Sequence, residues 1–230
     1  MAATPVVSVQ DVIERMQRIE DELKPDDGAA VFNRMYLTVT EKVVAALAAE
    51  QVFHDPIFMA ELDVTFAGLW LAAYDSSAPT IPKAWAPLFE RRHETSLLPI
   101  QFALAGMNAH IAHDLPVALN ATCRQLRKSP DDATVRADYE KVNDLLAACE
   151  NEIRRSFLNE AEQAVDQHLS PVVHLIDSWN IDRARDVAWV NAEAMWAIRG
   201  LGPLAGRYEV ALARTVGMAS RCLLTSVLAA

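Results

Sequence analysis

Glycine is scarce in this chain, with 7 in 230 residues, where a globular domain carries roughly 7%. So few residues able to take positive φ freely disfavour turn-rich β architectures and glycine-rich phosphate loops. The many alanines push the same way, toward helix. Cysteine is sparse too. Cys123, Cys149 and Cys222 are an odd number at wide spacing, with no metal-knuckle pairing, and each fits a helical pattern as a small apolar residue. The net charge is −10 and no cluster of lysine and arginine stands out. A nucleic acid needs a positive stripe to neutralise its phosphates, and an anionic membrane needs a basic face, so neither partner is expected. No uncharged apolar run reaches ~18 residues; the C-terminal segment comes nearest, and Arg207, Glu209, Arg214 and Arg221 punctuate it. Met1-Ala2-Ala3-Thr4-Pro5 has neither the basic start nor the apolar run of a signal peptide, which makes the cytoplasm the expected location.

What the chain does have is apolar material, 52% hydrophobic against 23% charged residues, ample for one continuous core. Ser8 and Asp11 mark a helix start, and Val9, Val12, Ile13, Met16, Ile19 and Leu23 follow at helical spacing. Lys24 to Gly28 breaks the pattern, and a second helix is expected over about 29–51. Asp55-Pro56, a capping carboxylate before a first-turn proline, opens a third that runs to about Tyr74. A proline- and serine-rich loop over 75–82 precedes a short helix at Trp85 to Glu90, whose charges with Arg91 and Arg92 read as a solvated face. Pro99 opens a long pattern to about Leu126, interrupted by Pro116. Helices are further expected over roughly 134–158, over 161–179 with a kink at Pro171, over 182–199, and after Pro203. The expected fold is all-α, one compact multi-helix domain of about eight helices spanning 1–230.

The chemistry concentrates in Asn108-Ala109-His110-Ile111-Ala112-His113-Asp114-Leu115-Pro116. On a helix His110 and Asp114 lie one turn apart with His113 between them, so the three share a face. Such a group can hold a divalent metal, zinc first, or form an acid/base pair in which aspartate orients histidine. Pro116 cannot donate to the carbonyl of Ala112, which frees or bends the backbone beside the cluster. The flanks are apolar, so these ionisable groups need partners, functional or merely structural. Asp63 interrupts the apolar run around Leu62, Val64 and Phe66 and is the best further candidate; an exposed helix carboxylate is its alternative. His54 reads as a loop residue. Asn191 falls on the face of Ala184, Val187, Ala188 and Met195, where an amide demands partners. Trp70, Trp189 and Trp196 can shape a pocket or simply fill core. Asn33, Arg34 and Tyr36 can feed the same polar centre, with an ordinary surface charge as the alternative for Arg34. His-Glu-x-x-His, a second Glu-x-x-His beside Glu90-x-x-His93, helical paired aspartates and Gly-x-Ser-x-Gly are all missing.

The runs Phe32-Asn33-Arg34-Met35-Tyr36-Leu37, Leu62-Asp63-Val64-x-Phe66-Ala67, Trp85-x-Pro87-Leu88-Phe89-Glu90, Gln101 through Pro116, and Arg183-x-Arg185-Asp186-x-Ala188-Trp189-x-Asn191-Ala192 together resemble the bacterial domain-of-unknown-function family numbered 5995. The resemblance covers nearly the whole chain and is most specific at the histidine–aspartate segment. It implies a helical single domain, common in actinobacteria, and brings no established reaction, cofactor or catalytic residue. More distantly, His-x-x-His-Asp-x-Pro is similar to short segments of helical zinc-dependent phospholipase C and P1-type nucleases, and the paired His-Asp to helical phosphohydrolases. The further histidines those enzymes use are not in evident positions.

Three expectations follow. The first is a metal-dependent, hydrolase-like enzyme acting on a small, partly apolar molecule, with His110, His113 and Asp114 as metal ligands and Asp63 beside them. The second is a metal-free cyclase or isomerase of specialised, natural-product metabolism. In it the same groups do acid/base work while Trp70, Trp189 and Trp196 shape an apolar pocket; in either enzyme Arg34, Tyr36, Trp70, Asn108, Trp189 and Asn191 are the expected substrate contacts. The third is a non-catalytic ligand-binding or structural protein whose polar centre only fixes the helix arrangement. Asp63, His110 and Asn191 are expected to converge on one centre, because three isolated buried polar groups would each cost roughly 1–3 kcal/mol.

Overall fold

The computed structural model describes residues 7–49, 52–143, 146 and 180–226. Cys149, most of the helix expected over 134–158, and the helix expected over 161–179 with its kink at Pro171 lie outside them. Among the described residues there is no strand. The helices are α1 (Val9–Glu22), α2 (Gly28–Ala48), α3 (Pro56–Asp75), α4 (Ala86–Arg91), α5 (Pro99–Ala109), a π-helical turn (His110–Asp114), α6 (Leu115–Gln125), α7 (133–143), α8 (Ile181–Ala197) and α9 (Gly202–Leu223).

Local chemistry sets most of the starts. Ser8 accepts from Asp11 N at 3.2 Å, Asp27 from Ala29 N at 2.8 Å, Asp55 from Phe58 N at 2.9 Å, and Asn180 from Arg183 N at 2.8 Å. Each satisfies an amide that the first turn leaves without a partner. Prolines occupy the first turn of α3, α4, α5, α6 and α9, where the missing N–H costs nothing.

The rod formed by α5, the π turn and α6 is the axis of the fold. α2 and α9 pack on its first half, α3 and α8 on its second. α1 lies across α2 and α3. Buried Asn33 joins these three helices: its amide donates to Met16 O (2.9 Å) and Glu20 (2.7 Å), and its oxygen accepts from the Trp70 indole (3.2 Å). α3 is apolar on all sides and is long and hydropathic enough to cross a membrane; here it packs between α1, α2 and α6.

Two sites depart from the sequence reading. Arg92 is not merely solvated, for it pairs with buried Asp27 at 2.6 Å and so ties the end of α4 to the start of α2. The buried stripe of α8 is Ile181, Arg185, Ala188, Trp189 and Ala192, not the face of Val187, which is 57% exposed. Of the described cysteines Cys123 is buried as expected and Cys222 is exposed.

Gly217 lets α9 approach the chain before α4, since a Cβ there would meet the Lys83 carbonyl oxygen at 2.3 Å. Backbone cannot swing aside as a side chain would. Gly217→Ala should therefore destabilise by about 2 kcal/mol in chemical denaturation, although alanine gains up to about 1 kcal/mol in helix propensity. A neutral or stabilising result would show that α9 is not clamped there.

Candidate functional site

Pro116 offers no N–H to the Ala112 carbonyl, and its ring crowds that oxygen. The helix widens ahead of it into the π turn, closed by Leu115 N–H to His110 O. Residues one apart on an α-helix do not face each other, yet in this turn the His113 and Asp114 side chains meet, Nδ1 to Oδ1, at 2.7 Å. His110 Nδ1 lies 3.1 Å from Asp114 Oδ2, and the Trp85 indole N–H donates to that same oxygen at 2.8 Å.

Asp114, 2% exposed, is thus a carboxylate whose oxygens serve three ring nitrogens from two elements. Burial pushes its pKa up, but the bonds with His110 and His113 outweigh that and hold it below the usual carboxylate range. Burial depresses the pKa of His110 more than Asp114 raises it, so the imidazole is neutral. An ionised carboxylate only accepts, which places the His110 proton on Nδ1 and a lone pair on Nε2. Nε2 is buried without a hydrogen-bond partner.

Aromatic rings enclose this imidazole. Phe66 stacks on it at 3.6 Å between centroids and 8° between planes, and Tyr36 meets it edge-on at 4.4 Å. Beyond that layer lies a partly open pocket of about 500 Å³ including its mouth. α2 supplies Tyr36, Val39 and Val43, and α3 supplies Met59, Leu62, Asp63 and Phe66. Leu115, Tyr139, Val142, Leu146 and Arg185 complete the wall. His110 does not line it.

The polar groups facing this apolar space are few. Asp63, 9% exposed, leaves Oδ2 without a hydrogen-bond partner, and burial pushes its carboxyl up to about 7. The Tyr36 hydroxyl is buried as well, with the Thr40 hydroxyl as its neighbour. Its pKa is raised by burial first and by the Asp63 charge second, which places those two groups in one electrostatic environment.

The structure therefore brings together Tyr36, Asp63 and, one ring-layer behind, His110 with Asp114 and His113. It does not bring in the rest. Half-buried Asn191 accepts from the Tyr208 hydroxyl at 2.8 Å and bridges α8 to α9, which corrects the expected convergence with Asp63 and His110. Exposed Arg34 pairs with Glu20. Trp70 is core, bonded to Asn33. Asn108 donates to Val216 O and Ser220 Oγ, fastening α9 to α5. Trp189 is buried with its indole on Glu193 and Tyr139 against its ring. His54 flanks Asp138, which also accepts from the backbone of His54 and Asp55 and so braces the start of α3.

The sequence reading gives Arg185 no role, although it sits at the middle of the Ile181, Ala188, Ala192 stripe. A charge at the core position of a helical stripe was the available signal.

Among the described residues no group of three or more His, Cys, Asp or Glu side chains is placed to hold a metal. Asp114 is occupied bridging the two Nδ1 atoms, which leaves each histidine Nε2 alone as a donor.

An all-helical domain with a buried His–Asp–His turn and an apolar pocket beside it is the class of protein these features define. The chain belongs to the family described as "Family of unknown function (DUF5995)", which it matches over residues 9–226. No curated protein and no solved structure matches it.

Asp114→Asn keeps the shape but turns an NH₂ toward an imidazole N–H. Setting N–H against N–H in the core and weakening the remaining charge-assisted hydrogen bonds, each worth about 1.5–3 kcal/mol, costs about 3–5 kcal/mol in all. The melting temperature should fall by roughly 10 °C, at about 2–4 °C per kcal/mol for a chain of this size. A fall within 2 °C would show that the carboxylate does not anchor the turn.

Proposed function

We propose that the chain is an enzyme acting on a small, partly apolar molecule by metal-free proton transfer, of the isomerase or cyclase type, with Asp63 as the acid/base group. The observation that carries this reading is a buried carboxyl on the wall of an apolar pocket, lifted to about 7 by desolvation. A carboxyl near neutrality exists in both forms, so it can give a proton to one atom of a substrate and take one from another. Tyr36 supplies a second polar contact, its hydroxyl a donor toward a substrate oxygen. His110 acts through Tyr36 and Phe66, whose rings it supports, and Asp114 holds it in the Nδ1–H tautomer. His110 and Asp114 are positioning residues in this reading.

Deuterium incorporation tests it. Purified protein incubated in D₂O with small branched ketones and β,γ-unsaturated acids should exchange carbon-bound hydrogen, followed by NMR. Asp63→Asn should slow that exchange by about 10²-fold or more, the usual contribution of general acid–base catalysis. Equal rates in the folded variant would sink the assignment.

Stability supplies an independent check. The unfolded carboxyl ionises near 3.8 while the folded one stays protonated up to about 7. The folded chain thus binds more protons between these values, and the Asp63 contribution is lost as pH rises through that window. Its size is roughly 4 kcal/mol, at 1.36 kcal/mol per pKa unit. Asp114 and His110, with depressed values, act in the opposite sense and lose stability as pH falls. Comparing wild type with Asp63→Asn by denaturant melts cancels them. The variant should gain on the wild type from pH 4 to 8; a pH-independent difference would show that Asp63 ionises normally.

A further inference from the structure

The wall that holds Tyr36 and Asp63 also carries a buried cation. Arg185 is 5% exposed, and its position is set by neighbours rather than by a counter-ion. Nε donates to Asn143 Oδ1, one Nη donates to Tyr139 O at 2.7 Å, and the guanidinium lies 4.0 Å from the Tyr139 ring centroid. The Tyr139 hydroxyl returns a bond to Arg185 O at 2.8 Å. These contacts use two of the five N–H groups a guanidinium offers. Among the described residues no carboxylate lies within ion-pair distance of it. Asp182 and Asp186, on the same helix, are exposed and act only at longer range. Burying a guanidinium without an anion is costly, and its natural complement is a planar carboxylate that accepts from the fork.

We infer that the pocket takes a small carboxylic acid with a branched or short apolar body, its carboxylate on Arg185 and its far end toward Asp63 and Tyr36. This rests on the reading of the pocket as a substrate site and names the substrate class. Among the described residues Arg185 is the only cation in the wall, so one negative charge is matched; a phosphate dianion would leave charge uncompensated. Val39, Val43, Leu62, Met59 and Phe66 supply the apolar middle. The space suits a body of a few carbons.

Isothermal titration of the full chain with 3-methylbutanoate and with 3-methyl-1-butanol, which share a skeleton, tests the assignment without turnover. The acid should bind wild type at least 10-fold tighter than the alcohol. Arg185→Gln, its fold checked by circular dichroism, should bring the two within about 2-fold. Arg185→Lys, which keeps the charge and loses the fork, is the second variant should glutamine fail to fold, and there the preference should shrink without vanishing. Equal affinities in wild type, binding of neither compound, or an unchanged preference in a folded Arg185 variant would each overturn the inference. Asp63→Asn should keep the acid preference. Preserved binding with unchanged deuterium exchange in that variant would therefore reject the proton-transfer reading alone.

Discussion

The bridge made by Asp114 is the constraint around which the molecule is arranged. A carboxylate in the core is tolerated only if hydrogen bonds replace the water it has lost. Here Trp85, from the turn before α4, and His110 and His113, from the π turn, supply them. The bridge fixes the centre of the rod formed by α5 and α6, and α2, α3, α8 and α9 all pack on that rod. It also fixes the tautomer and plane of His110, against which Phe66 and Tyr36 set their rings. Those two residues form the inner wall of the pocket. The polar core and the pocket are therefore successive layers, not one site.

That layering divides the chemistry. His110 is held at Nδ1 by Asp114 and covered by rings, with Nε2 left unpartnered. Asp63 has no such network, and desolvation acts on it unopposed. The same physical cost, burial of an ionisable group, is relieved at Asp114 by hydrogen bonds and at Asp63 by keeping a proton. Arg185 is a third case, a cation that cannot discharge at neutral pH and is held by carbonyl, amide and aromatic face instead. Two strained ionisable groups facing one small apolar space are the pattern expected of a site rather than of a core optimised for stability.

Much of this was legible residue by residue. Ser8 and Asp55 announce helix starts, and so do Pro56 and Pro99, because capping depends on chain neighbours within three residues. Asp63 was visible as a break in an apolar run. The disturbance at Pro116 was visible too, since a missing N–H is a property of the residue itself. The expected all-α fold rests on the same short-range signals. Less legible was the side of α8 that faces inward. Ala184, Val187, Ala188 and Met195 make as good an apolar stripe as Ile181, Ala188 and Ala192, and the former points to Asn191 and away from Arg185.

Local chemistry by itself determined the helices, their caps, the shortage of turns and the presence of an ionisable cluster in an apolar helix, because each depends on spacing along the chain. Only the tertiary structure decided that Asp114 bonds to Trp85, that His110 lies behind Phe66 and Tyr36, and that Asp63 and Arg185 face one pocket. Those pairings join residues far apart in sequence, and helical periodicity states which residues share a face but not what that face meets.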